Sequence, residues 1–124
     1  MSNDDQKFLK SNRLLHKNDF QNLKTGSRFF ASDALIFYIK KNELNETRIG
    51  MAISKKFGAA PHRNKLKRKI REWFRKSEFK SEGFDILVCP NLKKLKAKNL
   101  SRKKVYELVD ESLMLSFKSI IKSF

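Results

Sequence analysis

The sequence predicts an α+β fold, a two-layer sandwich in which helices cover a small sheet, with the element order α-β-β-α-β-α. Three observations carry that prediction. Short apolar runs at Ala34–Ile39, Arg48–Ser54 and Phe84–Cys89 have the length and residue types of strands. Two longer stretches, Pro61–Lys76 and the one from about Ser101 to Ile121, place their apolar residues at helical spacing. The chain has 124 residues and is 40% hydrophobic with 11 Phe, which suits a single domain with one core.

Residues 1–12 are polar and read as a flexible arm of that domain, residues 1–124. They have no apolar segment of the kind found in secretory signals. Asn18 can cap a short first helix, because its side-chain oxygen can accept a free backbone N–H. Phe20 and Leu23 share one face of that helix, which ends near Gly26. In Ala34–Ile39, Leu35, Phe37 and Ile39 alternate with Ala34, Ile36 and Tyr38. Lys40–Glu46 is polar and forms a turn. In Arg48–Ser54, Ile49, Met51 and Ile53 face one way and the small Gly50, Ala52 and Ser54 the other, so another element packs close to the small face.

A basic turn, Lys55–Ala60, precedes the second helix. Pro61 fits its first turn, where the missing N–H costs nothing. Phe84–Cys89 is the third strand and stops at Pro90, and residues 91–100 read as a basic loop. Ser101 caps the last helix, whose core stripe is Val105, Val109, Leu113, Phe117 and Ile120. Cys89 stands alone, so an intrachain disulfide is excluded, and its apolar neighbours mark it as a buried small side chain.

Charge gives the first functional indication. The formal net charge is +16, from 29 basic and 13 acidic side chains. Residues 55–80 carry a net +9 and residues 91–104 a net +7, so two segments hold nearly all of it. Like charges this dense oppose folding unless a polyanion neutralises them. Nucleic acid is the first candidate, since phosphate neutralisation releases condensed counterions. An anionic membrane surface, met by the amphipathic helix Pro61–Lys76, is the rival, but Trp73 and Phe74 of that helix are needed for the core. The expected setting is cytoplasmic.

The helix Pro61–Lys76 concentrates the charge. At 100° per residue, Leu66, Ile70, Trp73 and Phe74 share one face, and Asn64, Lys67, Arg68, Arg71 and Arg75 lie opposite. Lys65, Lys69 and Lys76 flank them, and Arg63 sits nearer the apolar edge. A charge run on a helix is most often a solvated face. Here the density and the arginine content favour a bound phosphate backbone, because guanidinium groups contact phosphate in a planar, two-pronged way.

The same run, Arg63-Asn64-Lys65-Leu66-Lys67-Arg68-Lys69-Ile70-Arg71, resembles the R-N-x-x-K-R-x-x-R signature of the bacterial ribonuclease P protein subunit. Arg48-Ile49-Gly50 and Ser54-Lys55-Lys56-Phe57-Gly58 resemble the strand and turn before that signature. Asn12-Arg13-Leu14 and Asp19-Phe20 resemble the family's opening segment. The resemblance covers about residues 12–122. It implies an α/β sandwich with a left-handed β-α-β crossover, against the usual handedness. It also implies support of endonucleolytic maturation of tRNA 5′ ends, with two RNA partners: the ribonuclease P RNA subunit and precursor tRNA. Cleavage would lie with the RNA subunit and its Mg2+.

Carried onto this chain, the resemblance puts the RNA-subunit surface at Arg63, Asn64, Lys67, Arg68 and Arg71, beside Arg75 on the same face. It puts the cleft for the 5′ leader between the first helix and the sheet, with Phe20 and Phe37 as aromatic members and Lys55 or Lys56 at the rim. Lys24 stands about where a second cleft aromatic is expected, and the first helix is one residue short of the usual pattern.

Chemistry carried by the protein itself finds no support in the motifs. His16 and His62 are isolated, there is no zinc pattern with one Cys, no Gly-rich phosphate loop, and the carboxylates are scattered. No catalytic or metal-binding residue is therefore expected. A non-catalytic, ribosome-associated RNA-binding protein shares the basic helix and is the alternative. A DNA-binding protein would need base-reading side chains at the start of the helix and usually a dimer, so neither DNA nor membrane is an expected partner.

Overall fold

Among the described residues, four strands form one sheet in the order β1-β2-β4-β3: β1 Arg28–Ala31, β2 Leu35–Lys41, β3 Arg48–Met51 and β4 Phe84–Pro90. The structure is a computed structural model that describes residues 23, 27–44, 46–77 and 83–122, with only the backbone at 116–122. Among the described residues, the helices that accompany the sheet include α1 Ala60–Arg75, α2 Leu92–Lys98 and α3 Arg102–Lys122. Among the described residues no helix is long and apolar enough to cross a membrane. Of the predicted first helix only Leu23 is described, in helical conformation; Asn18, Phe20, Lys24 and Gly26 lie outside the described residues.

β2 pairs antiparallel with both β1 and β4, while β3 runs parallel to β4. A parallel pair needs a crossover, and α1 supplies it. The register fixes which side chains share a face. Phe37 lies opposite Phe30 and Val88, and Ile39 and Ile49 both lie opposite Ile86. That face meets the fully buried Leu66, Ile70 and Phe74 of α1 and the buried Val105, Val109 and Leu113 of α3. The predicted core stripes of both helices are therefore in place; Phe117 and Ile120 lie beyond the described side chains. Trp73 is half-buried, with its ring centroid 5.7 Å from that of Phe37.

The other face of the sheet carries Tyr38 opposite Leu87, with Cys89 and Ala52 beside them, and Leu23 packs there at 2% exposure. The sheet is thus covered on both sides at its centre. This explains why Ile86, Leu87 and Val88 are all buried in succession. Cys89 is half-buried rather than enclosed.

Three elements differ from expectation. Arg28–Ala31 forms an edge strand that the sequence reading did not include. Residues 91–100 are not a plain loop: Leu92–Lys98 is helical, the Asn91 side chain accepts the Lys94 N–H, and Asn99 closes the helix in the left-handed conformation. β3 also ends at Met51, three residues before the predicted Ser54, because the chain turns into a short 3-10 turn, Lys55–Phe57, capped by the Ser54 hydroxyl.

At the far end of the sheet Arg48 donates two hydrogen bonds to Asp85, at 2.9 and 2.7 Å, and Asn42 donates a third to the same carboxylate at 2.8 Å. This ties the β2–β3 connection to β4. Asp85→Ala removes both of these bonds from a guanidinium that is only 30% exposed. It should cost about 1–3 kcal/mol in urea unfolding; a loss near zero would show that the three groups solvate independently.

Candidate nucleic-acid interface

The 3.6-residue period of α1 sorts its cations into two sets with different partners. Lys65 and Lys69 turn toward α3. The Lys65 ammonium lies 4.2 Å from the centre of the Tyr106 ring, and Lys69 pairs with Asp110 at 3.0 Å. These two lysines brace one helix against the other. Burial raises the Tyr106 phenol above its ordinary pKa, opposed by the positive charges of Arg102 and Lys69. The same hydroxyl donates to the His62 carbonyl oxygen at 3.1 Å, and His62 Nδ1 lies 3.3 Å from it. His62 is thus placed by protein contacts at the helix start.

The second set faces away from the core. Asn64, Lys67, Arg68, Arg71 and Arg75 together line one shallow groove. Five of the six residues predicted for RNA contact are therefore gathered on one surface. Arg63, the sixth, stands apart, its guanidinium 3.5 Å from the Gly58 carbonyl oxygen. Arg75 also contacts Glu72 at 3.4 Å. Four cations in one groove repel one another, and the buried stripe Leu66–Ile70–Phe74 on the opposite face holds the helix regardless. Such a surface offers planar donors to a row of phosphates.

The predicted cleft residues separate. Phe20 lies outside the described residues, and Lys55 and Lys56 are exposed on the 3-10 turn. Phe37 is 0% exposed and packed between Phe30 and Trp73. It cannot offer a ring face to a nucleotide, and its assignment to a cleft is corrected to core. The aromatics that border the Leu23 face are the ones the sequence reading missed. Phe29 is 59% exposed and meets Tyr38 edge-on, with centroids 5.4 Å apart. Alternation along β2 could have flagged Tyr38, and the pairing of β1 flags Phe29.

Comparison with known proteins agrees with this architecture. The family profile for Ribonuclease P matches residues 8–112, well over half of the chain. The ribonuclease P protein component of Thermotoga petrophila is 38% identical over 89 residues, covering 71% of this chain and 76% of that protein. That of Legionella pneumophila is 40% identical over 88 residues, covering 70% and 77%. Among solved structures, the Staphylococcus aureus RNase P protein superposes with a TM-score of 0.68 at 29% identity, over 86% of this chain and 96% of that one. The Thermotoga maritima RNase P protein gives 0.61 at 33% identity, over 82% and 94%. By profile, sequence identity and fold together, this chain belongs to the ribonuclease P protein component family.

Proposed function

We propose that this chain is the protein subunit of ribonuclease P, which binds the catalytic RNA subunit through α1 and the 5′ leader of precursor tRNA through the Leu23 face of the sheet. The observation that carries the reading is the groove that collects Asn64, Lys67, Arg68, Arg71 and Arg75. The described residues hold no group of three or more His, Cys, Asp or Glu fit for a metal ion. In this reading Mg2+ and bond cleavage belong to the RNA, in the cytoplasm. The protein supplies cations that let RNA subunit and precursor approach at low magnesium. Reconstitution with a ribonuclease P RNA tests this: the chain should restore 5′ processing at a magnesium concentration where the RNA alone is nearly inactive. Binding of that RNA without any gain in processing would favour a ribosome-associated RNA-binding role instead.

The leader reading moves with the geometry from Phe37 to Tyr38 and Phe29. Stacking on an unpaired base is tolerant of sequence, which suits leaders of any composition. Tyr38→Ala should weaken precursor tRNA binding by about 1–3 kcal/mol and leave mature tRNA binding nearly unchanged. Equal losses for both RNAs would take the leader off this face.

A further inference from the structure

The second basic segment, residues 91–104, is not used by the groove of α1. It borders a separate cavity of about 600 Å³, within the roughly 300–1,000 Å³ usual for small-ligand sites. The cavity's position follows from the topology. β3 and β4 are parallel, so their carboxyl ends lie at the same end of the sheet. The chain leaves β3 into the Lys55–Phe57 turn and leaves β4 into α2, and the cavity opens between these two exits. Crevices beyond the carboxyl ends of parallel strands are common ligand sites.

Its floor is apolar, made by Leu92, Leu95, Leu100 and Val105. Its cations are Lys56, Lys96 and Arg102. The lysines of α2 divide by side. Lys94 and Lys98 both pair with Asp33, at 3.4 and 3.2 Å. The hydrogen bond from Lys98, then its charge, holds that carboxyl below the usual range. Lys96 points to the cavity, and among the described residues no acidic side chain pairs with Lys56, Lys96 or Arg102. Arg102 is fixed in place. It donates to the Phe57 carbonyl oxygen, and its guanidinium carbon lies 5.1 Å from the centre of the Phe57 ring. Gly58 makes this possible, since a Cβ there would run into the guanidinium. A flat cation held beside an apolar floor is a stacking platform, and the two lysines add a place for phosphate.

Resting on the RNA-binding reading above, we infer that this cavity takes one unpaired nucleotide from a single-stranded stretch of an RNA partner, with its base on the leucine floor against Arg102 and its phosphate between Lys56 and Lys96. The test is methyl NMR on the full chain labelled at Leu and Val, titrated with adenosine 5′-monophosphate, ribose 5-phosphate and inorganic phosphate. The Leu95 and Val105 methyls should shift and saturate with adenosine monophosphate but not with the other two. Lys96→Glu, at an exposed position, should weaken that binding roughly fivefold or more, and Arg102→Ala should abolish it. Arg68→Ala/Arg71→Ala should leave it unchanged. Adding ribonuclease P RNA, then precursor tRNA, to the labelled chain shows which RNA supplies the nucleotide. Equal shifts with ribose 5-phosphate, or RNA binding that moves neither methyl, would overturn the cavity while leaving the proposed function intact. Failure to bind ribonuclease P RNA would sink the proposed function, and the mononucleotide titration would still decide the cavity.

Discussion

Arg68→Ala combined with Arg71→Ala is expected to weaken binding of ribonuclease P RNA on the order of 100-fold at moderate salt. Both side chains line the same groove on α1. A hydrogen bond to a charged group is worth about 1.5–3 kcal/mol, so two lost phosphate contacts reach that size. The slope of log affinity against log salt should flatten by roughly one unit per contact removed. The free protein should melt no lower than before, because the change relieves repulsion on the solvent face and leaves Leu66, Ile70 and Phe74 buried. Filter binding across a salt series checks the result. An unchanged slope would take these arginines off the RNA surface, and a drop in melting temperature would mean that they brace the fold.

Phe37→Ala should produce the largest loss of stability. The ring is among the largest fully buried side chains and joins Phe30 of β1 to Trp73 of α1. Truncating a buried Phe costs about 3–5 kcal/mol, the transfer term plus the cavity left behind. That is a large share of the roughly 5–15 kcal/mol that holds a domain together. Urea unfolding measures it. A loss below about 1 kcal/mol, joined to a selective loss of precursor tRNA binding, would return Phe37 to the leader cleft.

Phe37 also marks the limit of what alternation can say. Period two shows that Leu35, Phe37 and Ile39 share a face, but not which layer covers that face. Here both faces are covered: one by α1 and α3, the other by Leu23 at its centre. An aromatic on either side then looks alike in sequence, and only the fold separates the buried Phe37 from the half-buried Tyr38. Helix α1 was legible because its two faces differ in chemistry as well as in spacing, and Pro61 marked its first turn. β1 was missed because four residues, RFFA, with three of them exposed, give too short a pattern. α2 was missed because its lysines hide the Leu92–Leu95 pair. Asn91 and Asn99 at its two ends were the signals present, one accepting a backbone N–H and the other in the left-handed region. The groove was legible residue by residue; the cavity beyond β3 and β4 was not, because it joins the turn after one strand to the helix after another.

The parallel pairing of β3 with β4 also governs how the chain assembles. Neither strand can reach the other until the segment between them has folded back over the sheet, and α1 makes up half of that segment. Pairings between strands distant in sequence are slow to form, because the connecting chain loses its entropy before the contacts repay it. In this chain the connection also carries Lys67, Arg68, Arg71 and Arg75 in one groove, and their repulsion adds to the barrier while the helix is only partly docked. Dissolved salt or a polyanion lowers that barrier by screening. On the proposed reading, the cations placed for contact with RNA should also slow closure of the sheet in the free chain, and refolding should quicken when salt or RNA is added.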